Sequence, residues 1–255
     1  MTAQPCHCVS LHERRHRLFA ASLLATALLA TAGGCGNFAS RGMNAEGVRL
    51  FQQAQYPAAV QEFQQAINAD PTNPDSYYNL AAAYHRVGKL GNNRAQLDQA
   101  ESLYNQCLDR DPQHSDCYRG LAVLLVEEGR SEEAFRLLEG WSTREPTSAD
   151  ARIQLARLLE EFGDLQGART QLAEALQLDP RNATAHVAMG RIWERLGAPN
   201  KALVDYQRAL AINQFQPDVS ARVAALQAAA GTRLEPIPGD QPPERFVTRN
   251  ADLRR

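Results

Sequence analysis

Small and large apolar residues recur along this chain at helical spacing. Ala59, Ala100, Ala134 and Ala168 each precede a large side chain by four residues, namely Phe63, Tyr104, Leu138 and Leu172. Three residues further on stand Ala66, Cys107, Trp141 and Ala175. Spacings of four and three keep all three positions on one face of a helix. A second set precedes each of these stripes: Leu80-Ala81 with Tyr84, Leu121-Ala122 with Leu125, Leu155-Ala156 with Leu159, and Met189-Gly190 with Trp193. The pattern therefore predicts helices in pairs. No run alternates apolar and polar residues in the Val-, Ile- and Thr-rich manner of a strand, so the chain is expected to be all-α.

Prolines punctuate the pairs. Pro71, Pro112, Pro146 and Pro180 lie in "NADPTNPD", "DRDPQHSD", "TREPTSAD" and "QLDPRNAT", at intervals of 41, 34 and 34 residues. A fifth unit carries Ala202, Tyr206 and Ala209, with Gln214 where the proline would fall and Pro217 after it. The opening unit is weaker, with Glu46-Gly47 and Leu50 in its first helix. Gly88, Gly129, Gly163 and Gly197 follow the first helices, where a left-handed cap favours glycine. An Ala or Gly in the first helix lets the second come close, and the large residue of the second fills the space beside it. Burying each such Leu, Phe or Tyr contributes roughly 1.5–3 kcal/mol, too little for one pair to fold alone, so neighbouring pairs must stack.

Residues about 40 to 214 resemble the tetratricopeptide repeat family, whose unit is a 34-residue antiparallel helix pair. The resemblance implies a right-handed superhelical solenoid of about five units over 40–230. Residues 217–230, "PDVSARVAALQAAA", are expected to cap the stack, with Val219, Val223, Leu226 and Ala230 inward. After Gly231 the pattern stops, and four prolines with mixed charge predict a disordered tail over 231–255. Seven extra residues fall near 89–99 in the second unit. Leu97, Ala100, Tyr104 and Cys107 form one continuous stripe, so the second helix is expected to start about two turns early, capped by Asn92 or Asn93.

The N-terminus has a different composition. A basic cluster, "ERRHR" at 13–17, precedes fifteen uncharged residues at 18–32. That run is short for a membrane span and has the layout of a secretory signal. Ala32-Gly33-Gly34-Cys35 resembles the lipobox of bacterial lipoproteins. The resemblance implies cleavage of 1–34, a diacylglyceryl group on the Cys35 thiol and a tether over 35–39. Several acyl chains hold a protein firmly on a bilayer. Gly36 is not the Asp that favours inner-membrane retention, which points to the outer membrane, facing the periplasm.

Charge and chemistry narrow the function. The whole chain has 27 basic and 29 acidic residues, net −2; such a balance argues against nucleic-acid binding. Beyond residue 34 the histidines are His85, His114 and His186, none in a metal-ligand motif, and there is no phosphate loop, GxSxG or CxxC. Neither an enzyme nor a cofactor is expected. Cys107 and Cys117 bracket one turn. An exported protein could bridge them, although two buried thiols are the favoured reading.

Family resemblance places partner binding on the first helices. Carried onto this chain, the lining is Tyr78, Ala82, His85 and Arg86, then Arg119, Val123 and Glu127. Ile153, Arg157, Glu160 and Glu161 follow, with Val187, Arg191 and Glu194 last. These would suit an extended peptide bearing carboxylates. The carboxylate-clamp members of the family use a Lys and Asn pair that no unit reproduces; Asn79 matches one element. The expectation is a membrane-anchored scaffold or adaptor binding other proteins. The alternative is a soluble periplasmic chaperone-like or assembly module without lipid.

Overall fold

A computed structural model describes residues 38–231. The expected leader over 1–34, Cys35 with its tether to residue 37, and the tail from 232 lie outside the described residues. Eleven helices and no strand are found among the described residues, and none of these helices is long and apolar enough to cross a membrane. The described residues fall into two compact units that divide between Trp141 and Ser142.

The first unit holds α1 (38–52), α2 (Tyr56–Ala69), α3 (Pro74–Gly91), α4 (Arg94–Arg110), α5 (Ser115–Glu127) and most of α6 (Ser131–Arg144). The second holds α7 (Ala149–Glu161), α8 (Leu165–Leu178), α9 (Ala183–Arg195), α10 (Pro199–Ile212) and α11 (Pro217–Gly231). Local chemistry sets the boundaries. The residue two places after each repeat proline caps the helix that follows. Asn73, His114, Ser148 and Asn182 accept from the backbone N–H of Asp75, Cys117, Ala151 and Ala185. Each satisfies a donor that the first turn leaves without a partner, a cap typically contributing about 1 kcal/mol.

Pairs close by size complementarity. A Cβ built on Gly47 would lie 2.5 Å from the Phe63 ring, and one on Gly190 would lie 2.6 Å from Tyr206. Phe63, Tyr104, Leu138, Leu172 and Tyr206 are all essentially buried, as are the alanines four residues before them. In the second unit Ile153, Ala156, Ala168, Leu172, Ala185 and Ile192 form one core. α11 lays Val219, Val223 and Leu226 against Ala202 and Tyr206 of α10.

The second repeat departs from the expectation. Its extension is shared between both helices: α3 has 18 residues and α4 has 17, against 13 and 14 in α7 and α8. α4 starts six residues before Ala100, where α8 starts three before Ala168, so it gains about one turn rather than two. Gly88 is not a cap. It lies inside α3, where a Cβ would meet Leu97 Cδ2 at 2.8 Å and Leu97 N at 3.1 Å. The left-handed residue here is Asn92 (φ 47°), while Asn93 caps α4. Gly129, Gly163 and Gly197 do adopt positive φ, at 76°, 84° and 72°.

The two kinds of position respond differently to substitution. Gly88→Ala is expected to destabilise by about 1–3 kcal/mol, because backbone as well as side chain stands in the way of the added methyl. Ala54 is the opposite case, a left-handed residue (φ 59°) with a Cβ. Ala54→Gly is expected to stabilise by about 1 kcal/mol. Urea titration followed by circular dichroism reads both changes.

Candidate functional site

In the first unit α1, α3 and α5 contribute the walls of a cleft of about 780 Å³. α1 supplies Arg41, Asn44, Ala45 and Val48; the turn before α3 supplies Asp70, Thr72 and Asn73; α3 supplies Asp75, Tyr78 and Asn79; and α5 supplies Asp116. Beneath it lies a buried polar seam. Asn44 Nδ2 donates to Ser76 Oγ at 2.7 Å, Asn79 Nδ2 donates to Asn44 Oδ1 at 3.4 Å, and the Ser40 and Ser76 hydroxyls are 3.5 Å apart. These bonds hold two carboxamides at the cleft wall in fixed orientation. A carboxamide offers both donor and acceptor, which is what an exposed peptide backbone requires.

Tyr78 is half-buried. Its ring lies 5.7 Å from His114 and 6.3 Å from Tyr104, and its hydroxyl accepts from Arg119 at 3.4 Å. Further along α3, a smaller hollow of about 200 Å³ is lined by Phe51, Ala82, His85, Arg86, Lys89, Tyr104 and Glu127. There Glu127 takes His85 Nε2 at 3.0 Å and Lys89 Nζ. Partial burial opposes its charge, but the hydrogen bonds from Lys89 and His85 outweigh that and hold Glu127 below the ordinary carboxylate range. Burial pushes the Tyr104 phenol up, so it stays neutral.

The arginines of the expected lining each have a partner within the protein. Arg119 pairs with Asp116 at 2.7 Å as well as bonding Tyr78. Arg86 donates to Tyr56 at 3.3 Å. In the second unit Arg191 reaches Glu160 at 3.0 Å, with Arg195 at 3.7 Å from the same carboxylate. Arg157 donates to Gln154 at 3.4 Å, an interaction within its own helix. Ile153 is fully buried in the core of the second unit and offers no surface to a partner. Its place on α7 turns it towards α8 and α9 packing, so it leaves the candidate lining. Val123, by contrast, is 41% exposed. The cleft itself carries Asp70, Asp75 and Asp116 against Arg41, and is acidic.

Reading the sequence missed Asn44, Ser76 and Asp75. The missed signal was partly local, since Asp75 lies in the first turn of α3, two residues after its cap. The Asn44–Ser76 bond joins residues 32 apart in the chain and had no sequence marker. The Cys107 and Cys117 sulfurs are bonded, with α-carbons 6.5 Å apart, in place of the two free thiols that were favoured. The last turns of α4 and the first of α5 bring both cysteines into the same buried seam, within the range a disulfide spans.

Sequence-family profiles described as TPR repeat match residues 47–88, and profiles described as Tetratricopeptide repeat match 94–142, 125–175 and 153–217. No curated protein matches the sequence significantly. Among solved structures, TTC0263, a thermophilic TPR protein of Thermus thermophilus, aligns with TM-score 0.57 and 22% identity over 74% of this chain and 100% of its own. Human IFIT1, solved as a dimer with m7Gppp-AAAA, aligns with TM-score 0.52 and 18% identity over 70% of this chain and 44% of its own. The Cut9 and Hcn1 hetero-tetramer of the APC/C gives TM-score 0.52 and 16% identity, over 75% and 37%. At these identities the likeness is one of fold.

Proposed function

Since the chain is a tetratricopeptide-repeat protein, we propose that it is a non-catalytic scaffold that holds an extended segment of another protein in the cleft of its first unit. The observation that carries this reading is the oriented pair Asn44 and Asn79 beside Tyr78, fixed from below by Ser76. Amide side chains held this way bond a peptide main chain without being reorganised, which limits the ordering cost of binding. With Asp116 paired to Arg119, Asp70 and Asp75 stand against Arg41 at the rim, an acidic excess that favours a segment bearing Lys or Arg over one bearing carboxylates.

The proposal includes the address. Basic cluster, short apolar run, small residues and Cys35 occur in the order of a lipoprotein leader, and α1 is already helical by residue 38. Acylated Cys35 would hold the repeats close to the periplasmic face of the outer membrane.

Two measurements test this. A peptide array probed with the protein should select basic extended segments, and binding of a selected peptide should weaken with salt. Asn79→Ala is expected to weaken it about tenfold, the loss of one or two hydrogen bonds to the peptide. Selection of acidic peptides, or affinity indifferent to Asn79→Ala and Tyr78→Ala, overturns the cleft assignment. Mass spectrometry of the mature N-terminus decides the anchor: a lipid-modified Cys35 supports it, and an unmodified terminus elsewhere establishes the soluble module instead.

A further inference from the structure

His114 completes a cluster around the disulfide. One of its ring nitrogens and the sulfurs of Cys107 and Cys117 lie within 4.8 Å of one another. Both cysteines are fully buried, and the His114 side chain is 10% exposed. The hydrogen bonds of the ring fix its tautomer. The backbone N–H of Cys117 can only donate, and it lies 3.3 Å from Nδ1, so Nδ1 presents a lone pair. Nε2 therefore carries the ring proton and donates it to Asp75 Oδ1 at 3.0 Å. The Nδ1 lone pair faces Cys117, where it accepts the capping N–H, and the far N–H is held by a carboxylate; with a cation taking the place of the Cys117 N–H, this is the arrangement of a metal-ligating histidine.

We infer that, when the disulfide is open, Cys107, Cys117 and His114 bind a thiophilic cation of the Zn²⁺ type, with Asp75 positioning the imidazole. Two thiolates and one imidazole suit the N/S preference of zinc, and water completes a tetrahedron. An external dithiol breaks the S–S bond, transfers two electrons and two protons to the two sulfurs and leaves as its own disulfide. Zn²⁺ then displaces both thiol protons to solvent as the Zn–S bonds form. Bridge and cation exclude each other, because each uses both sulfurs. Either one ties α4 to α5, so the junction between these repeats is closed in an oxidising compartment by the bridge and in a reducing one by the ion.

The test uses the full-length chain with Cys6, Cys8 and Cys35 replaced by serine, which leaves Cys107 and Cys117 as its cysteines. The protein is reduced with a phosphine and titrated with Zn²⁺ against a chromophoric chelator, with circular dichroism recorded in parallel. One tightly held Zn²⁺ per reduced chain is expected, and none after oxidation. His114→Asn is the informative variant, because Asn caps the equivalent helices at Asn73 and Asn182. It keeps the cap and removes the imidazole, and should abolish tight uptake while the helical signal persists. Asp75→Asn should weaken uptake about 10–100-fold. A folded, reduced chain that takes up no Zn²⁺ overturns the inference. So does uptake that survives oxidation, or uptake unchanged in His114→Asn.

Discussion

Trp141→Ala is expected to lower the unfolding free energy by about 3–5 kcal/mol, the usual range for emptying a buried indole site. The sequence puts this tryptophan where other repeats have Ala or Cys, so by register alone a smaller residue would suffice. Yet it is 1% exposed and stacks on Tyr118 with ring centroids 4.0 Å apart and planes 6° from parallel. A stacked aromatic pair adds roughly 0.5–1.5 kcal/mol beyond its burial. The indole N–H has no hydrogen-bond partner among the described residues, so shape and area account for the contribution. Trp141→Phe should accordingly lose only about 1–2 kcal/mol. Urea denaturation followed by far-ultraviolet circular dichroism measures both variants. A loss under about 1 kcal/mol for the alanine would show that neighbouring helices close the space without help.

His186→Ala should cost about 1–3 kcal/mol, because it leaves Oδ1 of the buried Asp205 carboxylate with only the outlying Arg208 guanidinium, 3.6 Å away. Asp205 is 7% exposed and His186 is 5% exposed. His186 Nδ1 stands 3.0 Å from Asp205 Oδ1, and Trp193 Nε1 donates to Oδ2 at 3.0 Å. His186 Nε2 lies 3.2 Å from the Pro180 carbonyl, which can only accept, so that nitrogen is protonated. Tyr77 plays the same part in the second repeat, donating its hydroxyl to the Pro71 carbonyl at 3.1 Å. In these two repeats the residue six places after the proline thus folds back to bond that proline's carbonyl. Adding Asp205→Asn to His186→Ala removes the weakly paired charge and should restore part of the loss. If the double variant is no more stable than the single one, the cost lies in packing and not in the carboxylate's lost partner.

Much of the fold is legible in the chain because repeat proteins make most of their contacts between neighbouring helices. The four-and-three spacing of Ala, large residue and Ala or Cys reports the buried face of each second helix. Gly190 opposite Tyr206 shows small and large residues meeting as expected. A further signal was present and unread: the cap two residues after each proline. The candidate site was less legible. Tyr78 was picked out by register and Asn79 by its match to one clamp element, and both line the cleft, but Ile153 shares the register of Tyr78 and is buried. Position in the repeat identifies a face of the helix. It does not identify what packs on that face.

The amino-acid sequence by itself determined the paired helices, their order and the small-to-large matching inside each pair, since these depend on residues within about one repeat length. Tertiary structure alone decided the rest. Gly88 is a point of close approach and not a cap, because α3 runs on past it to a left-handed Asn92. The arginines of the expected lining are bonded, in the case of Arg119 to a tyrosine 41 residues away. His114 reaches a carboxylate 39 residues away. Such partners meet only when successive repeats have packed at one particular distance and rotation, and spacing along the chain carries no record of either.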